Sequence, residues 1–132
     1  MQIKKLLVKD LMRVEVRTIG ADASLKEAAR AMHEQKVSSL VIQPADESDA
    51  FGIVTRKDVL EAMLMDSGGD LPYLVSEVMT KPAITVGPKL SIENCLLLMR
   101  VAGTRRLPVV EGERLVGIIS NTDVFDRLIS GK

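Results

Sequence analysis

The chain has 132 residues, 46% of them hydrophobic and 27% charged, and its 18 basic and 18 acidic side chains cancel to a net charge of zero. That length suits one domain with a real buried core, and the even charge lacks the basic footprint of a nucleic-acid binder. No run approaches the roughly 20 apolar residues needed to span a bilayer. The lone Cys95 cannot form an internal disulfide, and with the single His33 it supplies no Cys/His metal set.

The aromatics are limited to Phe51, Tyr73 and Phe125, too few for base-stacking platforms. The opening MQIKKLLVKDLM has no sustained apolar stretch after its basic start, so it does not read as a signal peptide, and a cytoplasmic location is expected. Ser24 followed by Glu27 is a capping box, after which Leu25, Ala28, Ala29 and Met32 recur at helical spacing. His33 lies beside that stripe as a surface or half-buried imidazole. An apolar run, Leu40 to Ile42, reads as a strand; the acidic loop PADESDA and a second strand, Gly52 to Val54, follow it. Asp46, Glu47 and Asp49 in the loop read as a solvated hairpin rather than a partner contact. A helix begins just past Thr55, and Asp66-Ser67-Gly68-Gly69-Asp70, with Pro72 after it, forms a linker.

The order then recurs. Shifting the sequence by 67 positions superimposes Val8 on Val75, Met12 on Met79, Thr18 on Thr85, Ser24 on Ser91, Met32 on Met99 and Leu40 on Leu107. After the acidic loop the shift falls to 65, bringing Gly52 onto Gly117 and Asp58 onto Asp123. Ser91 caps a helix striped by Ile92, Cys95, Leu96 and Met99, which makes Cys95 a core residue rather than a nucleophile. The strands Leu107 to Val110 and Leu115 to Ile119 flank the tight turn Glu111-Gly112-Glu113, and a last helix starts past Ser120. We expect repeat one at about 8–66, a linker at about 67–74 and repeat two at about 75–130. Each repeat of about 60 residues has a sheet and two helices with one shared apolar face, which packing the two copies together would cover, so the expected fold is an α/β (α+β) domain in which two β-α-β-β-α repeats pack with pseudo-two-fold symmetry around a cleft.

Each repeat carries Ser/Thr-x-x-Asp at a strand-to-helix turn: Thr55 with Asp58, and Ser120 with Asp123. A helix N-terminus offers unpaired N–H groups to a phosphate, and an Asp one turn in can accept both hydroxyls of a ribose. The same pattern is a helix cap that needs no ligand. Both readings are compatible in the free protein.

The doubled pattern of a capped helix, a strand ending in LPVV, then G-I-I-S-x-x-D-V, together with the openings VKDLM and VSEVM, resembles the CBS domain (cystathionine β-synthase domain) in its tandem form, the Bateman module. The resemblance spans Val8 to about Ile129. It implies a regulatory module, not an enzyme, with no catalytic residue, no metal and no required cofactor. Its expected ligands are adenosine-containing (AMP, ADP, ATP or S-adenosylmethionine), held between the repeats. Carried over, site A comprises Thr55, Arg56, Lys57 and Asp58 with Thr85, Arg105 and Arg106. Site B comprises Ser120, Asn121, Thr122 and Asp123 with Thr18, Val37 and Ser38. The arginines of site A suit a phosphorylated ligand, whereas site B suits a less charged adenosyl ligand or none. The closing helices, with Val59, Leu60, Met63 and Leu64 in one and Val124, Phe125, Leu128 and Ile129 in the other, are expected to join two copies into a homodimer or else to pack internally. A ligand-free dimerising scaffold is the alternative function; neither an effector protein nor a pathway is indicated.

Overall fold

A computed structural model of the chain describes residues 3–66 and 70–131. The expected linker residues Ser67, Gly68 and Gly69 lie outside the described residues, as do the first two residues of the N-terminal segment. After a short 3-10 turn, Ile3–Lys5, the elements are α1 (Val8–Leu11), α2 (Leu25–Gln35), β1 (Ser39–Ile42), β2 (Gly52–Thr55), α3 (Arg56–Met65), α4 (Val75–Val78), α5 (Ile92–Ala102), β3 (Arg106–Glu111), β4 (Arg114–Ser120) and α6 (Asn121–Ser130). They form two compact units, one of Arg17–Ala83 and one combining Met1–Val16 with Ile84–Lys132.

In the Arg17–Ala83 unit, β1 and β2 pair antiparallel with Ser39 opposite Thr55 and Ile42 opposite Gly52. The helix α2 is made by its cap and its stripe. Ser24 Oγ accepts the Glu27 N–H at 3.0 Å, and Leu25, Ala28 and Met32 are buried, where they meet Leu40, Ile42, Val54, Val59, Ala62 and Val75 in one core. It ends on Lys36 in the left-handed conformation, φ 56°. The segment leading into α4 is tied to the start of α2, the Leu25 N–H donating to Tyr73 O and the Val75 N–H to Ala23 O, both at 2.8 Å.

The other unit repeats these relations with different residues. Here β3 and β4 pair from Arg106 opposite Ser120 to Glu111 opposite Arg114, with a bulge between Val109 and Val110. Ser91 caps α5 through the Asn94 N–H at 3.1 Å, and Ile92, Cys95 and Met99 are buried with Leu107, Val109, Ile119 and Val124. Burial pushes the Cys95 thiol above its ordinary pKa, so the thiolate needed for nucleophilic chemistry is disfavoured. The α5 helix ends on Gly103 at φ 68°, the position that Lys36 occupies in the first repeat; only the Lys pays the usual steric cost of that conformation. The segment leading into α1 is tied to the start of α5, the Val8 N–H donating to Leu90 O at 2.8 Å and the Ile92 N–H to Leu6 O at 2.9 Å.

Two features differ from the sequence pattern. The opening β element of each repeat contracts to a single parallel bridge, Thr18 to Val41 or Val86 to Val109. In the second repeat Pro88, without an N–H, follows closely and cannot extend a ladder. The second difference is packing: α1, the first element of repeat one, shares its core with α5, β3 and β4, while Val75 of α4 is buried among residues of repeat one. The homologous segments of sequence and the compact units are therefore different divisions of the chain.

The closing helices do not present their apolar residues as one exposed set. Val59 and Val124 are buried at 5% and 1% exposure, and Leu128 packs partly against the core. These three anchor α3 and α6 to the cores that also hold residues of their own sheets. Leu60, Met63, Leu64, Phe125 and Ile129 are the exposed remainder. Among the described residues no helix is long and apolar enough to cross a membrane.

Candidate functional site

Each Ser/Thr-x-x-Asp turn stands where a strand runs directly into a helix. Thr55 ends β2 and is the N-cap of α3, its Oγ1 accepting the Asp58 N–H at 3.2 Å while Asp58 Oδ2 accepts the Thr55 N–H at 2.8 Å. Ser120 ends β4 and caps α6, its Oγ accepting the Asp123 N–H at 3.1 Å. In both turns the first helical N–H is also taken: Arg56 donates to Ser38 O at 2.9 Å and Asn121 to Arg105 O at 2.8 Å. The capping reading is thus realised in both, and the N–H groups of Lys57 and Thr122 are the first-turn donors that no described residue satisfies.

The two turns part company at the carboxylate. Asp58 Oδ1 receives no hydrogen bond or ion pair among the described residues. Asp123 is engaged at both oxygens: its Oδ2 accepts the Ser120 hydroxyl at 2.8 Å, and its Oδ1 accepts Arg13 Nε at 3.1 Å and Nη2 at 3.0 Å. The Ser120 hydroxyl is therefore no spare donor for a ligand, because its proton is committed to Asp123. Arg13 escaped the sequence reading altogether. The shift of 67 places Thr80 at the corresponding position in the other repeat, and this difference between the repeats was the available signal.

The remaining candidates divide between the units. Thr18, Val37, Ser38, Arg56 and Lys57 belong to Arg17–Ala83, with Thr85, Arg105, Arg106, Asn121 and Thr122 in the other. Thr18, Arg56, Lys57, Thr85, Arg105, Asn121 and Thr122 are exposed, and Val37, Ser38 and Arg106 are half-buried. Lys57 Nζ lies 3.7 Å from Glu61 Oε1, an exposed pair of small energetic weight. A groove of about 630 Å³ between α2 and α3 is lined by Met32, His33, Lys36, Val37, Ser38 and Arg56, among others. It carries three basic side chains and no acidic one. Among the described residues no three His, Cys, Asp or Glu side chains gather as metal ligands.

The CBS domain profile matches residues 8–65 and 75–130, the same two stretches that end in these turns. The chain belongs to the CBS domain family. It is a tandem CBS pair, with an α/β fold in which each CBS repeat contributes an antiparallel β-β unit and helices. The CBS domain-containing protein YhcV of Bacillus subtilis is 31% identical over 118 residues, covering 89% of this chain and 81% of that protein. An inosine-5'-monophosphate dehydrogenase of Korarchaeum cryptofilum is 37% identical over 86% of this chain, which spans only 22% of that enzyme. Among solved structures, the CBS domain pair of protein MJ0100 in complex with 5'-methylthioadenosine and S-adenosyl-L-methionine superimposes with a TM-score of 0.80 at 27% identity, covering 96% of this chain and 97% of that one. The CBS repeats thus match both CBS-only proteins and a portion of a larger enzyme.

Proposed function

We propose that this CBS pair is a regulatory module that binds adenosine-containing ligands, not an enzyme. The observation that carries the reading is the repetition of the Ser/Thr-x-x-Asp turn at equivalent strand-to-helix junctions, with an Asp carboxylate and a free first-turn N–H at each. A ribose diol suits the carboxylate and a phosphate oxygen suits the N–H. The likeness to a CBS pair solved with two adenosyl ligands supports it. In this proposal Thr55, Arg56, Lys57 and Asp58 recognise one ligand and Ser120, Asn121, Thr122 and Asp123 another. The further contacts implied by the family pattern are Thr85, Arg105 and Arg106 to the first and Thr18, Val37 and Ser38 to the second. A ligand regulates by preferring one state of the module over another.

The test is thermal unfolding against AMP, ADP, ATP, S-adenosylmethionine and GTP, repeated with Asp58→Ala and Asp123→Ala. A ligand at 100 times its dissociation constant adds about 2.7 kcal/mol, which moves the midpoint several degrees. The expected result is a shift with an adenosyl ligand, absent with GTP and reduced by at least one of the substitutions. If no ligand shifts the midpoint and both substitutions only lower it, the turns are caps and nothing more. The second reading, a ligand-free dimerising scaffold, is favoured by the side-chain caps that both turns form without a ligand. Dimerisation through the exposed residues of α3 and α6 is proposed under either reading.

A further inference from the structure

The geometry points to Arg13 as the residue that decides which of the two turns takes a ribose first: it occupies the Asp123 carboxylate, and the Asp58 carboxylate stays open. The inference rests on the adenosyl-binding reading above and adds a specificity determinant outside both Ser/Thr-x-x-Asp turns. Arg13 is placed by backbone pairing. Its N–H donates to Ile118 O at 2.8 Å and its carbonyl accepts the Ile118 N–H at 2.9 Å, so its side chain emerges beside the turn two residues downstream. The equivalent pairing in the other repeat joins Thr80 to Ile53, at 2.9 and 3.0 Å. One scaffold therefore presents a guanidinium to Asp123 and a short hydroxyl side chain on the Asp58 side.

A vicinal diol brings two O–H donors and needs two acceptors on the carboxylate. At Asp123, Oδ1 already accepts two guanidinium N–H groups and Oδ2 accepts the Ser120 hydroxyl. A diol can enter only after Arg13 withdraws. Withdrawal is feasible, since the Arg13 side chain is 69% exposed, but it leaves an Asp123 side chain that is only 15% exposed. At Asp58 the diol meets a carboxylate that holds one backbone N–H and no cation. An ion pair of this kind lowers the affinity of a competitor about fivefold.

Titration calorimetry of the full chain with 5'-methylthioadenosine tests this, because that probe has no phosphate for Arg13 to attract. Asp58→Asn isolates the Asp123 turn, and adding Arg13→Gln should then tighten binding about fivefold. Arg13→Gln combined with Asp123→Asn should leave the affinity of the Asp58 turn unchanged. The gain should vanish with 2',3'-dideoxyadenosine, which lacks the diol; a structural effect of the substitution would not discriminate between the two probes. Equal or weaker binding after Arg13→Gln, or the same gain with the dideoxy probe, overturns the role of Arg13 while leaving the adenosyl reading standing. If neither the wild type nor any variant binds 5'-methylthioadenosine, both fall together. Arg13→Lys retains the charge without the fork and should give a smaller gain than Arg13→Gln.

Discussion

Gly117 shows how a single missing side chain sets up the chemistry next to it. A Cβ there would lie 2.8 Å from both Arg13 O and Met12 Sδ, so the close pairing of residue 13 with β4, and with it the guanidinium beside Asp123, depends on glycine. Gly52 is its counterpart, but a Cβ at that position would meet Met79 Sδ at 3.3 Å and Thr80 O at 3.4 Å, which is tight but tolerable. Gly117→Ala should therefore destabilise by about 1–3 kcal/mol, as overpacking against backbone does, and Gly52→Ala by less than about 1 kcal/mol. Urea unfolding of the two variants measures the difference. Equal losses would mean that the two repeats hold their crossing segments alike. The equivalence of the two glycines is plain from the sequence, through the shift of 65 that also aligns Asp58 with Asp123. Their inequality is not, because it depends on what crosses over them, and Arg13 lies more than a hundred residues from the carboxylate it holds.

At the scale of elements, the helices were the legible part. Ser24 and Ser91 cap α2 and α5 where the hydroxyl and the apolar stripe place them, and Leu25, Ala28 and Met32 or Ile92, Cys95 and Met99 are buried as their spacing implies. Local signals suffice because a cap and a helical face are fixed within a dozen residues. The opening strands were less legible, since each makes one bridge and a bridge has no periodicity to read. The acidic loop likewise hid an internal tether. Lys81 Nζ lies 2.7 Å from Asp49 Oδ2, and the Ala45 N–H, then Lys81, hold the Asp49 carboxyl down at about 2. The closing helices are legible as apolar, but a broad apolar arc does not say which residues pack on the sheet. Val59 and Val124 face the core, whereas Leu64 is 86% and Phe125 63% exposed. Large apolar side chains left exposed on both closing helices favour a second copy as their cover. Leu64→Glu with Phe125→Glu should convert a dimer to a folded monomer in sedimentation equilibrium, because neither side chain is in a core, and should abolish any rise of the unfolding midpoint with protein concentration. A wild type that sediments as a monomer at high micromolar concentration would remove the dimer proposal.

For the whole molecule, the decisive fact is that duplication of the sequence and closure of the cores follow different cuts. A cut in the linker between the homologous segments would deprive the first of Leu71 and Val75, which are 6% and 0% exposed in its core, and of the Thr80 pairing to Ile53. The segment 17–83 keeps all of these, together with the ties from Tyr73 and Ala23 that fix the start of α2. What it omits is α1, whose Val8 and Leu11 belong to the other core. Removing two buried aliphatic side chains of this size costs several kcal/mol, with about 2–5 for each, against a total stability of only about 5–15 kcal/mol for a domain. A fragment of residues 17–83 should accordingly show a cooperative urea transition and dispersed amide resonances, whereas a fragment of residues 8–66, although it holds one complete CBS repeat of sequence, should show neither. If the second fragment folded as well as the first, α4 would be dispensable to the core it completes, and the sequence repeat would itself be the folding unit.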